Sequence, residues 1–140
     1  MVERKGNGVD PAGRDLIELR LPPRVDMIAT ARMLASDVAG RADFDLDTVS
    51  DVRMAVDEAC IQVARRADPR YPMRVGLRLQ DGSLRVTVSA RTVVDETGID
   101  TDGFGWHVLT ALCDELGSEH GRGPDGDVLI VWFAKKDPGA

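Results

Sequence analysis

Glu58 and Gln62 are the two residues whose types and spacing could do chemistry in this chain. They stand four positions apart in the stretch AVDEACIQVARRA (55–67), so on a helix they share one face. A carboxylate can take a proton or position a nucleophile, and an amide oxygen can hold a metal ion. Two interpretations follow: the pair lines the wall of a pocket, or it is a solvated polar strip on an ordinary amphipathic helix.

The helix that carries this pair is predicted from the pattern of residues 43–67. Asp45 or Asp47 can cap its start, and Asp68-Pro69 ends it. Asp57 points away from the polar pair and has Arg53, one turn earlier, as its expected partner. One apolar stripe is expected to face a sheet: Val52, Val56, Ala59, Cys60 and Val63.

The elements around this helix are predicted from apolar periodicity and turn residues. Before it come a short strand at Leu16–Leu21 and a helix from Val25 that stops near Gly40. After it, MRVGLRLQ and LRVTVSA alternate apolar and polar residues around the turn signal DGS, which predicts a hairpin.

Beyond the hairpin, residues 91–103 form a turn-rich, acidic loop. FGWHVLTALCDELG is predicted as a third helix with Gly117 as its C-cap. VLIVWFA is predicted as a last, largely buried strand, and one more strand is considered around Ser118–Gly121.

We therefore predict an α/β two-layer sandwich, with a mixed, mostly antiparallel sheet and helices on one face. Residues 1–14 are expected to form a flexible N-terminal tail, residues 15–135 a single domain and residues 136–140 a C-terminal tail.

Composition narrows the function classes. The net charge of −6 disfavours direct nucleic-acid binding and suits a basic patch on a protein partner. No apolar run is long enough to span a membrane and the N-terminus has no signal-peptide pattern, so we expect a cytoplasmic protein. Cys60 and Cys113 lie in apolar helical patterns, which favours buried free thiols, with a redox pair as the alternative.

Four features, taken in order, resemble the histidine-kinase-like (GHKL) ATPase fold: AVDEACIQVARRA, the hairpin, DETGID and GFGWHVLTALCDEL. More narrowly, the chain resembles the anti-sigma factor serine kinases of the RsbW and SpoIIAB type, over about Leu16 to Phe133. DGFGWHVLTALCDEL is especially similar to the actinobacterial RsbW proteins, also called UsfX, which bind stress-response sigma factors.

The resemblance implies roles for the polar pair. In the family a Glu takes a proton from the nucleophile or positions it, and an Asn four residues later holds the Mg²⁺ that bridges the ATP phosphates. Glu58 matches the Glu, and Gln62 stands at the metal-ligand position with one methylene too many for near-octahedral Mg²⁺. Arg66 stands where the family often has His.

The family's Asp-x-Gly-x-Gly motif contacts adenine, and DETGID resembles it through Asp95 and Gly98, which stand one residue too far apart. Asp100 replaces the second Gly, and matching by strand register instead puts the motif's Asp near Ala90-Arg91.

Gly103-Phe104-Gly105 matches the family's Gly-x-Gly phosphate site, although alone it also fits a plain loop-to-helix junction. Counted from Gly98, only residues 99–102 precede Gly103, which is too short for a lid over a triphosphate. GDV (126–128) lacks the hydroxyls of the family's Gly-Thr-Thr.

Three functions are considered. The first, favoured, is an anti-sigma factor with a degenerate nucleotide site, which sequesters an alternative sigma factor and is released by a STAS-type anti-anti-sigma partner. The resemblance implies that Arg32 contacts the sigma factor, although a solvated arginine is the plain alternative, and that the protein is a homodimer. The second is an active serine-protein kinase that uses Mg-ATP on that STAS partner. The third is a small-molecule-sensing α/β domain.

Overall fold

The computed structural model describes residues 16–93, 95–123 and 126–139, which leaves the expected N-terminal tail outside the described residues. A short 3-10 turn, Val25–Met27, precedes the first helix. The strands are β1 (Ile17–Leu21), β2 (Met73–Gln80), β3 (Ser83–Arg91), β4 (Glu115–Gly123) and β5 (Gly126–Lys136). The helices are α1 (Ile28–Arg41), α2 (Leu46–Ala64) and α3 (Phe104–Leu112).

The five strands form one sheet in the order β1-β2-β3-β5-β4. Every pairing between these strands is antiparallel. The sheet, which we predicted to be mixed but mostly antiparallel, is therefore entirely antiparallel over the described residues. The predicted hairpin is confirmed: Asp81 and Gly82 join β2 to β3 with φ of 53° and 75°. Positive φ at both central residues twists a two-residue turn in the sense that the strands require.

The core lies between one face of the sheet and the helices, as predicted. In β3, the buried residues Leu84, Val86 and Val88 alternate with more exposed ones, so only one face of the sheet is covered. The stripe predicted on α2 is fully buried against this face. Burying apolar surface in a two-layer arrangement is the main stabilisation available to a domain of this size.

The predicted stop of the first helix near Gly40 is confirmed, because α1 ends at Arg41, but the predicted end of the third helix is wrong. Gly40 lies within the last turn of α1, and the chain leaves the helix at Asp43, which has φ of 62°. The third helix ends at Leu112 rather than near Gly117, because the chain has already turned into β4. Gly117 instead pairs with Trp132 across the sheet, and a Cβ at this position would overlap the indole ring.

The start of α2 is capped as predicted, because the Asp45 side chain accepts a hydrogen bond of 2.8 Å from the backbone N–H of Thr48.

The expected pairing of Asp57 with Arg53 is wrong. Both carboxylate oxygens of Asp57 accept hydrogen bonds from Nη1 of Arg32, each at 3.0 Å. Packing of α1 on α2 therefore supplies a better partner for this carboxylate than the next turn of its own helix does.

Both cysteines are free thiols. Cys60 is buried, and burial together with the nearby charge of Asp57 raises the pKa of its thiol to about 12. Cys113 is only partly buried, which corrects the expectation for this residue, and burial raises its pKa to about 12 as well. Thiols with such high pKa values are poor nucleophiles at neutral pH, which favours packing roles over redox chemistry.

Over residues 16–93, 95–123 and 126–139, the structure contains no helix that is both long enough and apolar enough to cross a membrane.

Candidate functional site

The Glu58 and Gln62 side chains meet on the face of α2 that looks toward the start of α3. Nε2 of Gln62 donates a hydrogen bond of 2.7 Å to Oε2 of Glu58. Only 8% of Gln62 is exposed, so its amide groups require partners within the protein. The polar pair is therefore not a solvated strip. It forms one side of the place where α2 meets the loop after β3 and the start of α3, which we call the junction.

Arg66 continues this row of polar residues one turn further along the chain. Its Nη1 donates hydrogen bonds to two oxygens of Gln62: the backbone oxygen at 2.9 Å and the side-chain Oε1 at 3.0 Å. The amide of Gln62 thus donates to Glu58 and accepts from Arg66. The oxygen that would serve as a metal ligand is already bound to a guanidinium group.

The loop after β3 is fastened to the same guanidinium group. Nε of Arg66 donates a hydrogen bond of 2.9 Å to the backbone oxygen of Gly98 and lies 3.5 Å from Oε2 of Glu96. Glu96 in turn accepts a hydrogen bond of 3.0 Å from the backbone N–H of Gly98. The side chains of Arg66 and Glu96 are only 19% and 17% exposed, so solvent screens this ion pair weakly.

Gly98 itself requires the absence of a side chain. Its φ is +89°, a backbone conformation that L residues rarely adopt, and a Cβ would lie 3.2 Å from Nδ1 of His120. The ring of His120 is held from its other side, with Nε2 at 3.1 Å from Oγ1 of Thr92.

Gly105 brings the first turn of α3 directly onto the polar pair. A Cβ on Gly105 would overlap both Nε2 of Gln62 and Oε2 of Glu58. The glycine is therefore needed for close approach between α3 and α2, and the structure joins two motifs that stand more than forty residues apart in the sequence.

Gly103, the other glycine of this motif, is the N-cap of α3, and the carboxylate of Asp100 lies next to it. Oδ1 of Asp100 accepts a hydrogen bond of 3.0 Å from the N–H of Asp102. A Cβ on Gly103 would lie 3.2 Å from Oδ2 of Asp100. A helix N-terminus attracts anions, and here a carboxylate of the chain itself stands beside that position.

Asp95, the expected adenine contact, lies elsewhere. It is exposed, has φ of +71° and lines a cavity of about 640 Å³ together with residues such as Asp68, Arg91 and Asp127. Gly98 lines a different cavity, of about 560 Å³, beside Arg66. The structure therefore brings Glu58, Gln62, Gly98 and Gly105 together and leaves Asp95 outside this group.

The residues of this junction do not fit Mg-ATP. Oε1 of Gln62 is hydrogen-bonded to Arg66, whose positive charge opposes a metal ion at the same oxygen. Gly105 packs against the polar pair with no space between them. The carboxylate of Asp100 beside the N-cap of α3 would repel a phosphate group at the helix start. Over the described residues, no cluster of three or more His, Cys, Asp or Glu side chains could hold a metal ion.

Arg32, the expected partner contact, makes none of the contacts of this junction and instead joins α1 to α2 through Asp57. One third of its side chain is exposed, and its ion pair with Asp57 holds the two helices together. Met33, on α1, is 70% exposed and Met54, on α2, is 47% exposed. The two helices that the ion pair joins therefore also present two flexible apolar side chains to solvent.

Two residues of the junction were not predicted as site residues: Arg66 and Glu96. The i, i+4 spacing from Gln62 to Arg66 is a signal that could have revealed the first. No comparable signal marks Glu96, because its contact depends on where the loop meets α2.

Comparison with known proteins places this chain in a family. Residues 21–133 match the family described as the histidine kinase-like ATPase domain, and the chain belongs to it. It is 37% identical over 111 residues to the anti-sigma-F factor RsbW of Mycobacterium tuberculosis strain H37Rv, an overlap that covers 78% of this chain. The chain spans only 65% of the length of that relative.

It is also 31% identical over 140 residues to the serine-protein kinase RsbW of Bacillus cereus strain AH187, an overlap that covers 86% of each chain.

Solved structures show the same fold at low sequence identity. A structure of the RsbU and RsbW domains of Rv1364c from Mycobacterium tuberculosis superposes with a TM-score of 0.68 at 18% identity, over 86% of this chain and 32% of that one. The SiaB–SiaC complex from Pseudomonas aeruginosa gives a TM-score of 0.66 at 14% identity, over 84% of this chain and 89% of that one. The predicted GHKL fold is thereby confirmed.

Proposed function

We propose that this chain is an anti-sigma factor that sequesters an alternative, stress-response sigma factor and is released by a STAS-type anti-anti-sigma partner. The observation that carries the proposal is its 37% identity to an anti-sigma-F factor over most of its length. The protein acts in the cytoplasm as a homodimer, and its nucleotide site is degenerate.

The surface around Arg32 supports a protein partner. A partly exposed guanidinium group and two exposed methionines on the same pair of helices, α1 and α2, combine charge recognition with apolar area that can adapt to a partner. The chain's net charge of −6 suits a basic region on the sigma factor.

Arg32→Glu tests this surface. The variant should weaken binding of the cognate sigma factor by at least ~1 kcal/mol, the usual threshold for an interface residue that matters. Isothermal calorimetry with the purified sigma factor measures the change.

The matched control is Asp57→Asn, because it removes the charge of the internal partner while leaving Arg32 in place. It should bind the sigma factor nearly as well as the wild type. If Arg32→Glu left the dissociation constant unchanged, or if Asp57→Asn weakened binding equally, Arg32 would be a structural residue and not a partner contact.

The second candidate is an active serine-protein kinase, favoured by the 31% identity to a serine-protein kinase RsbW. In that case Glu58 would be the base and Gln62 a metal ligand, with Mg-ATP as the phosphoryl donor. The proposed degenerate site instead predicts no transfer from γ-labelled ATP to the STAS partner. Transfer by the wild type that Glu58→Ala abolishes would establish the kinase and overturn the degenerate site.

A further inference from the structure

We infer that Arg66 is a built-in cation that fastens the loop of residues 95–100 to α2, so that this junction is assembled without Mg²⁺ or nucleotide. The inference deepens the proposed function. It rests on that proposal in one respect only, namely that this junction is a degenerate nucleotide site. It assigns a structural role to residues that the chemistry of phosphoryl transfer does not use.

The contacts of Arg66 reach both sides of the junction. Toward α2, Nη1 donates to the backbone oxygen of Gln62 and to its side-chain Oε1. Toward the loop, Nε donates to the backbone oxygen of Gly98 and lies within ion-pair distance of Glu96. One side chain therefore joins the helix to the loop through both backbone and side-chain groups.

The length of Gln62 fits this arrangement. Its amide stands between Glu58, one turn earlier, and Arg66, one turn later, and bonds to both at 2.7 Å and 3.0 Å. The extra methylene that misplaces the oxygen for a metal ion gives this amide the reach to join Glu58, within α2, to Arg66, just beyond the end of α2.

The charges at the junction agree with an internal cation. Glu58 stands at one end of the row and Glu96 at the other, with the guanidinium group of Arg66 bonded to Gln62 and paired with Glu96. Removing Arg66 would leave the carboxylate of Glu96 with only 17% of its side chain exposed and without its cation. The loop would then lose the contact that fixes it against α2.

Amide hydrogen exchange on the isolated, full chain tests the inference. In Arg66→Met, the amides of residues 96–102 should exchange about tenfold faster or more, because local opening of the loop becomes easier while the core remains folded. Arg65→Met is the matched control: this neighbouring arginine is exposed, and its variant should exchange like the wild type.

The second arm adds ligands to the wild type. MgCl₂ alone, or with a non-hydrolysable ATP analogue, at about 5 mM should leave the exchange of these amides unchanged. A ligand that binds the folded junction would slow their exchange, and we expect neither of these ligands to bind there. Slower exchange on adding either ligand would overturn the inference, as would a loop in Arg66→Met that exchanges like the wild type.

If Arg66→Met failed to fold, Glu96→Gln would replace it, because it removes only the charge at the loop end of the ion pair. Faster loop exchange at an unchanged melting temperature supports the inference, and unchanged exchange overturns it. None of these measurements involves a sigma factor. A negative result here would therefore not count against the anti-sigma proposal, which the Arg32→Glu experiment tests, and a negative result in that experiment would not count against the role of Arg66.

Discussion

At the scale of single residues, the spacing of Glu58 and Gln62 correctly predicted a shared helix face, and the structure joins their side chains directly. The sequence also predicts that Gln62 is too long to serve as a metal ligand. It could not predict what the amide does instead, because the answer depends on Arg66 and on a loop that comes from beyond the hairpin. Contacts between distant segments are set by tertiary packing, which local spacing does not encode.

Gly105→Ala tests the close approach of α3 to this pair. The added methyl group would overlap the ends of Glu58 and Gln62, so these side chains must separate or α3 must shift. Both atoms are ends of flexible side chains, but Gln62 is buried and bonded to Arg66, so its amide cannot turn away freely. We expect the free energy of unfolding, measured with urea, to fall by about 1 kcal/mol, the lower end of the cost of overpacking.

Gly121→Ala is the control for that variant, because nothing lies within 4 Å of a Cβ at this position. Its free energy of unfolding should stay the same or rise by up to about 1 kcal/mol, because alanine also loses less backbone freedom than glycine in a strand. Equal losses in the two variants would show that the approach of Gly105 to α2 carries no special constraint.

At the scale of elements, the amphipathic stripe and the N-cap of α2 were predicted correctly, because both are encoded within the helix. The partner of Asp57 was not, since an arginine on α1 competes with the one on its own helix. The end of α3 was missed for another reason: residues 113–117 fit a helical pattern as well as a strand, and only pairing with β5 decides between them.

Gly40→Ala tests the finding that α1 continues through this residue. Gly40 is exposed, and nothing lies within 4 Å of a Cβ there. Alanine loses less backbone freedom than glycine in a helix, so the variant should be more stable by about 0.5 to 1 kcal/mol in urea denaturation.

Gly98→Ala is the opposite case, because φ of +89° and the ring of His120 both oppose a side chain. It should be destabilised in the same assay. A destabilised Gly40→Ala would mean that α1 ends before this position.

At the scale of the whole molecule, the two-layer architecture followed from the sequence because the period of each apolar pattern and the DG turn are local signals. Strand order did not follow. β5 lies between β3 and β4, and nothing in its apolar run VLIVWFA specifies which edges it joins.

Acid should destabilise the molecule partly through Asp68, which follows α2. The hydrogen bond and charge of Arg70 lower the pKa of this carboxyl to about 2 in the folded chain, against about 3.9 in an unfolded one. Because the folded pKa is the lower one, the stabilisation is complete above about pH 5 and is lost as the pH falls toward 2.

Melting temperatures of wild type and Asp68→Asn, compared from pH 5 down to pH 2, should therefore converge as the pH falls. Arg70→Gln should reduce the pH dependence in the same way, because it removes the cation that lowers the pKa. A difference between wild type and Asp68→Asn that stays constant with pH would rule out this carboxylate as a source of acid sensitivity.

The position of β5 also has a consequence for biosynthesis. Chains leave the ribosome from the N-terminus, so residues 126–136 emerge after the other four strands. Until then, β3 lacks one neighbour and β4 lacks the strand with which it pairs. The nascent chain would present an unpaired edge and the apolar face of its hairpin, both of which promote aggregation. A stop codon or a long translational pause just before β5 would therefore produce a chain that depends on chaperones, although most of its residues had already been made.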